Sequence, residues 1–183
     1  MAGSDKKQSP VSHTVVVSVL PSAGFSARIE ATEDQKEALA EAHDLLAVDS
    51  FIAELELKRW RRDGVRIRGN VQARIRQECV VTLEPLVTDL DVPVDAVFLP
   101  EGSKLARPLD EEGALIVDPD GPDLPEIFEG GVIDAGAVAE EFFALDIDPY
   151  PRAPGAEMEA EEGDGEDASE KPFAGLAALR DKL

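Results

Sequence analysis

The stretch FIAELELKRWRRDGVRIRGNVQARI, Phe51 to Ile75, alternates apolar and polar residues on both sides of a single turn. Phe51, Ala53, Leu55 and Leu57 share one face and Glu54, Glu56 and Lys58 the other, the period of two that a half-buried strand requires. RRDG at Arg61 to Gly64 supplies the turn. Val65, Ile67, Val71, Ala73 and Ile75 then resume the apolar face, and Arg66, Arg68, Arg74 and Arg76 line the opposite one. The pattern predicts two long antiparallel strands, with Gly69 at a bulge or bend.

Beyond a turn at Leu83 to Leu86 (LEPL), Leu90, Val92, Val94, Ala96 and Phe98 alternate with Asp89, Asp91 and Asp95, a third strand of the same meander. Pro93 falls on its polar face, which predicts an edge position. On the other side, TVVVSVLP (Thr14 to Pro21) and FSARIEA (Phe25 to Ala31) read as the two strands of a hairpin. Thr32 with Gln35 forms a capping box, and Leu39, Ala42, Leu45 and Leu46 recur at helical spacing, predicting a helix over about Glu33 to Leu46. From Pro100 to Pro125 the chain is rich in Pro, Gly and Asp, a long loop interrupted only by the apolar run Ala114 to Val117. Asp134 can cap a helix over about Ala135 to Leu145, with Val138, Phe142, Phe143 and Leu145 as its apolar stripe.

The expected fold is α+β: a twisted antiparallel meander of about five strands with two helices packed on it, an acidic disordered linker and a short C-terminal helix. A flexible N-terminus covers residues 1–12 and a single domain 13–154. The linker, 155–170, carries eight acids and no base and repels itself. Residues 171–183 form an amphipathic hook in which Phe173, Leu176 and Leu179 share a face, fit to dock on the domain itself or in the groove of a partner.

A chain of 183 residues, 43% hydrophobic, can bury one real core. Its formal charge of -21 favours a basic partner. No stretch approaches the ~18 apolar residues of a membrane span, and no apolar segment follows Lys6 and Lys7, so a soluble, unsecreted, cytoplasmic protein is expected. One cysteine forms no internal disulfide and alone makes no zinc site. There is no GxSxG, HExxH or phosphate-cradling loop, and the DPDG at Asp118 to Gly121 lacks a calcium-loop continuation. Glu140 and Glu141 diverge by roughly 100° on a helix and cannot act jointly. No enzyme activity, cofactor, metal, small-molecule substrate or membrane partner is expected.

Two features remain. Lys58, Arg59, Arg61, Arg62, Arg66, Arg68, Arg74 and Arg76 place eight of the 18 Lys and Arg residues within nineteen positions, opposed only by Asp63. Such a ribbon could track phosphates while Trp60 stacks on an unpaired base. Alternatively, Arg66 and Arg74 sit opposite Glu54 and Glu56 as ordinary cross-strand ion pairs. Cys79 is in phase with Val71, Ile75, Val81 and Leu83, so it points inward as a core residue. His13 and His43 stand in no recognisable relation to it as a base.

The order of elements resembles the YceD family of large ribosomal RNA subunit accumulation proteins. GNVQARIRQECVVTLEPL is similar to the family's strand with an early glycine and a final cysteine; VIDAGAVAEEFFALDIDPYP to its Asp-started helix with paired glutamates and a Pro-rich end; and KPFAGLAALRDKL to its terminal hook. The resemblance implies a non-enzymatic cytoplasmic factor supporting large-subunit ribosomal RNA or its precursor, with Arg59, Trp60, Arg61, Arg62, Arg66, Arg68, Arg74 and Arg76 as candidate RNA contacts. The rival is an acidic escort of a basic ribosomal protein. Many members pair the strand cysteine with a second in CxxC and carry further cysteines after the helix, a zinc-like set. Here Thr82 takes the second position and DIDPYPRAPGAEME has no cysteine, which leaves Cys79 as a packed remnant.

Overall fold

The computed structural model describes residues 8–103, 105 and 125–156. The alternation that begins at Phe51 belongs to β3 (Ala47–Trp60), which turns through Arg61 to Asp63 into β4 (Gly64–Glu78). β4 in turn pairs antiparallel with β5 (Pro85–Pro100). β2 (Phe25–Glu30) adds to the free side of β3, and β6 (Glu126–Phe128) pairs parallel with the last three residues of β5. The result is a five-stranded sheet of order β2-β3-β4-β5-β6. Two helices complete the α+β fold, α1 (Glu33–Ala42) and α2 (Ala135–Asp146).

One face of the sheet is the core. Phe51, Leu57, Val65, Ile67, Val71 and Ile75 are all sealed there, and α2 packs against β3, β4 and β5. Phe143 of α2 is fully buried and meets the Phe51 ring edge-on, centroids 5.4 Å apart at 83°. Burial of such a ring stabilises the fold by about 1.5–3 kcal/mol. Pro93 stands where its missing N–H costs nothing, because β5 beside it is paired only with β4.

The N-terminal hairpin does not form. Thr14–Val16 (β1) pairs instead with Val132–Asp134 (β7) in a separate two-stranded sheet. The chain winds through a 3-10 turn at Val17–Val19 before β2, which uses its edge for β3. Val11 and Ser12, just ahead of position 13, are part of the packed unit: Val11 is 1% exposed, and Ser12 donates to the Asp134 carboxylate at 2.5 Å.

The capping box at Thr32 and Gln35 is present, but α1 ends at Ala42 rather than Leu46. Asp44 turns left-handed (φ 53) and the Leu45 N–H returns to the Ala40 carbonyl at 2.9 Å, a Schellman closure that leaves Leu46 exposed. In α2 the buried face is Ala135, Gly136, Ala139 and Phe143, flanked by Val138. Leu145 lies roughly 110° from the centre of that face and is 78% exposed, so it does not belong to the stripe.

Gly69 is no bulge. It pairs in register with Leu55 and Val94, and the register shift falls at Val48/Ser50. A Cβ at Gly69 would stand 2.0 Å from the Glu54 carbonyl oxygen, so close backbone approach is what requires glycine. β4 also ends earlier than its apolar phase. The turn spans Cys79 to Glu84, Leu83 is left-handed (φ 59) and 67% exposed, and of the in-phase residues Cys79, Val81 and Leu83 only Cys79 is buried. Ala114 to Val117, the linker from residue 157 on and the hook with Phe173, Leu176 and Leu179 lie outside the described residues.

Candidate nucleic-acid interface

The arginines of β4 alternate with its buried residues, so all of them reach the outer face of the sheet. Their partners follow from register. Arg66 faces Lys58 and Arg74 faces Ser50 on β3, which rules out the expected pairs with Glu54 and Glu56. On the other side the aspartates of β5 come into place. Arg66 binds both oxygens of Asp95 at 2.7 Å, Arg68 joins the same carboxylate at 3.2 Å, and Arg74 holds both oxygens of Asp89 at 2.6 and 2.9 Å. Arg76 reaches Asp49 at 2.9 Å. Glu54 is taken by Arg28 and Glu56 by Lys58.

These forks leave an electrostatic mark. Hydrogen bonds from Arg74 hold the Asp89 carboxyl below the usual carboxylate range, and those from Arg66 do the same to Asp95. Both guanidinium groups are raised above their ordinary value by the same bonds. The pairs are solvent-exposed, and their worth lies in fixing the register of opposite charges more than in stability. The outer face of β4 and β5 is therefore a neutral lattice, with little positive charge left to offer phosphate.

The tip of the β3–β4 hairpin is different. Arg59 donates to the carbonyls of Ser18 and Leu20 at 3.4 and 3.2 Å, anchoring the hairpin to the segment ahead of β2. Trp60 pairs across the ladder with Gly64, where a Cβ would crowd the Trp60 ring at 3.0 Å. The guanidinium of Arg61, on left-handed backbone (φ 52), lies 4.3 Å from the centre of that ring. Arg62 is exposed, and among the described residues neither it, Arg61 nor Arg59 is in an ion pair. The basic block of the sequence thus divides into a neutralised blade, Arg66 to Arg76, and a cationic point, Arg59 to Arg62 with Trp60 among them.

Cys79 is fully buried. Its Sγ accepts the N–H of Thr82 at 3.4 Å and of Ala153 at 3.3 Å, while Val80 donates to the Pro151 carbonyl at 2.9 Å. The segment after α2 is thereby clasped to the turn by backbone groups. Hydrogen bonds from Thr82, helped by that from Ala153 and opposed by desolvation, lower the thiol to about 7. No base faces it: His43 is bonded to Glu140 at 3.0 Å and stacked edge-on against Phe143. Among the described residues no three His, Cys, Asp or Glu side chains gather as metal ligands. No helix of those residues is long and apolar enough to cross a membrane.

The sequence reading missed Asp49, Asp89 and Asp95 as partners of the arginines. The signal was present in the alternation of Asp along β5, but a turn at Leu83 to Leu86 would have set Arg74 opposite Asp95, where the turn at Cys79 to Glu84 sets Arg68. It also missed Asp134 as more than a cap. That carboxylate accepts from Gly136, Ala137, Ser12 and the His13 N–H, joining α2, β7 and the N-terminal segment.

No curated protein and no solved structure matches the chain. One family does, over residues 67–180, a match that takes in most of β4, the Cys79 turn and α2 and begins just beyond the hairpin tip. On that match, which covers well over half of its 183 residues, the chain belongs to the family described as large ribosomal RNA subunit accumulation protein YceD.

Proposed function

We propose that the protein supports the production or stability of large-subunit ribosomal RNA by binding RNA rather than by catalysing a reaction, in the cytoplasm, with the contact at the tip of the β3–β4 hairpin. The family's description supplies the process. The observation that carries the contact is the difference between the two halves of the basic block: Arg66, Arg68, Arg74 and Arg76 are engaged by aspartates, while Arg61 and Arg62 are not, and they directly follow a half-exposed Trp60 whose ring Arg61 covers. Cations beside an aromatic ring at the end of a rigid ribbon suit an unpaired, stacked stretch of RNA. The acidic remainder of the molecule repels phosphate and restricts docking to that end.

Titration of a labelled large-subunit precursor RNA over a range of salt tests this. Arg61→Glu with Arg62→Glu is expected to weaken binding more than tenfold and to lower the salt slope by about 1.5–2, the loss of two phosphate contacts. Unchanged affinity and slope would refute the assignment.

The net charge of -21 favours a second reading, an acidic escort that binds a basic ribosomal protein through residues 155–183 without touching RNA. A pull-down after deleting Pro172 to Leu183 tests it: loss of a basic protein partner, with no RNA bound by the full chain, supports the escort, whereas unchanged partners with a lower melting temperature mean that the hook docks on the chain's own domain.

A further inference from the structure

At the opposite end of β4 from the hairpin tip, roughly 45 Å away along the strand, a cavity of about 410 Å³ opens between the two helix C-termini. His43, which caps α1, and Ala144 and Ile147 at the end of α2 line it, and neither helix has a basic residue in its last turn. Both macrodipoles thus end there with their partial negative charge uncompensated. Asp44, Glu78 and Asp148 add three carboxylates to the wall, and among the described residues none of them is in an ion pair. This contrasts with the outer face of the sheet, where each aspartate opposite an arginine is matched.

An independent feature sits in the same wall. Gln77 is 8% exposed; its amide nitrogen donates to the Asp148 carbonyl at 2.8 Å, but its buried Oε1 accepts nothing. A buried amide oxygen without a donor is costly, and a donor entering the cavity beside it would relieve that cost. Val80 is a partly exposed apolar side chain on the wall, and Leu145 and Tyr150, 78% and 71% exposed, lie on the segments that frame it.

We propose that this cavity seats a lysine or arginine side chain of a basic protein partner, with its apolar neighbours packing on Val80, Leu145 and Tyr150. Only a cationic donor answers carboxylates, helix C-termini and an unpaired acceptor together, and apolar surface beside the cavity favours a polypeptide over a simple ion. The site is distinct from the hairpin tip and does not depend on RNA binding there.

The test uses the full chain and a fluorescent octapeptide alternating leucine with lysine and arginine, at physiological ionic strength. Asp44→Asn with Glu78→Gln should weaken binding at least tenfold, since asparagine keeps the left-handed backbone of Asp44 (φ 53) and the fold. Glu37→Gln with Glu41→Gln, the same charge change on the exposed side of α1, should leave binding within twofold, and the Gln77 side-chain amide signals should shift as peptide is added. Equal weakening by both pairs would mean diffuse attraction and overturn the proposal. So would tighter binding once residues 157–183 are removed, because the chain's own Arg180 or Lys182 would then be the occupant.

Discussion

At the scale of single residues, Asp134 and Cys79 carry more of the structure than their chemistry announces. Burial alone would push the Asp134 carboxyl up, but the Ser12 hydroxyl and the N–H groups of His13, Ala137 and Gly136 outweigh it and hold the group below its ordinary value. A depressed folded value contributes stability that is full above the unfolded value, near 4, and lost as pH falls through the folded one. Asp134→Ala is expected to cost about 1–3 kcal/mol in urea denaturation at neutral pH, and Asp134→Asn to flatten the loss of stability below about pH 4. For Cys79 the thiol is acidified yet enclosed. A thiol reagent at pH 8 should label the native protein slowly and the urea-unfolded protein at once; rapid native labelling would mean the clasp with Ala153 is open. The inward aim of Cys79 was legible from the phase of β4, whereas its hydrogen-bonded clasp was not, since it depends on a segment 74 residues further on.

At the scale of elements, legibility follows sequence distance. The β3–β4 hairpin, the capping box and the helix begun by Asp134 are local patterns, and all three stand where the sequence places them. β1, β6 and β7 are three residues each, too short for periodicity, and each pairs with a strand more than twenty residues away. That the sequence reading pairs Thr14 to Pro21 with Phe25 to Ala31 in a hairpin and assigns no strand at β6 or β7 has that cause. The choice of arginine partners failed for a related reason, because a turn shifted by a few residues changes every pair along the ladder. Gly136 shows packing overriding propensity. A Cβ there would lie 1.8 Å from the Val11 carbonyl oxygen, so Gly136→Ala should destabilise by about 1–3 kcal/mol by thermal or urea denaturation although alanine is the better helix former. A stabilised variant would show that α2 and the N-terminal segment are less closely packed than described.

At the scale of the whole molecule, the strongly negative charge and the arginine-rich hairpin are reconciled by where pairing stops. Arginines along the blade are matched by Asp49, Asp89 and Asp95, and those at the tip are in no ion pair among the described residues. Charge reversal at Arg74 and Arg76 should therefore change RNA affinity less than threefold, in contrast to the loss expected for Arg61 and Arg62. The sequence alone gave these residues equal standing. Membership of the YceD family ties the chain to large-subunit ribosomal RNA accumulation by description, and a direct role through the tip is what we propose. Ultraviolet crosslinking in cells, with separate identification of bound RNA and protein and mapping of the crosslinked peptide, tests that role most directly. The account predicts large-subunit ribosomal RNA attached to the peptide containing Trp60; recovery of protein partners without ribosomal RNA would contradict it.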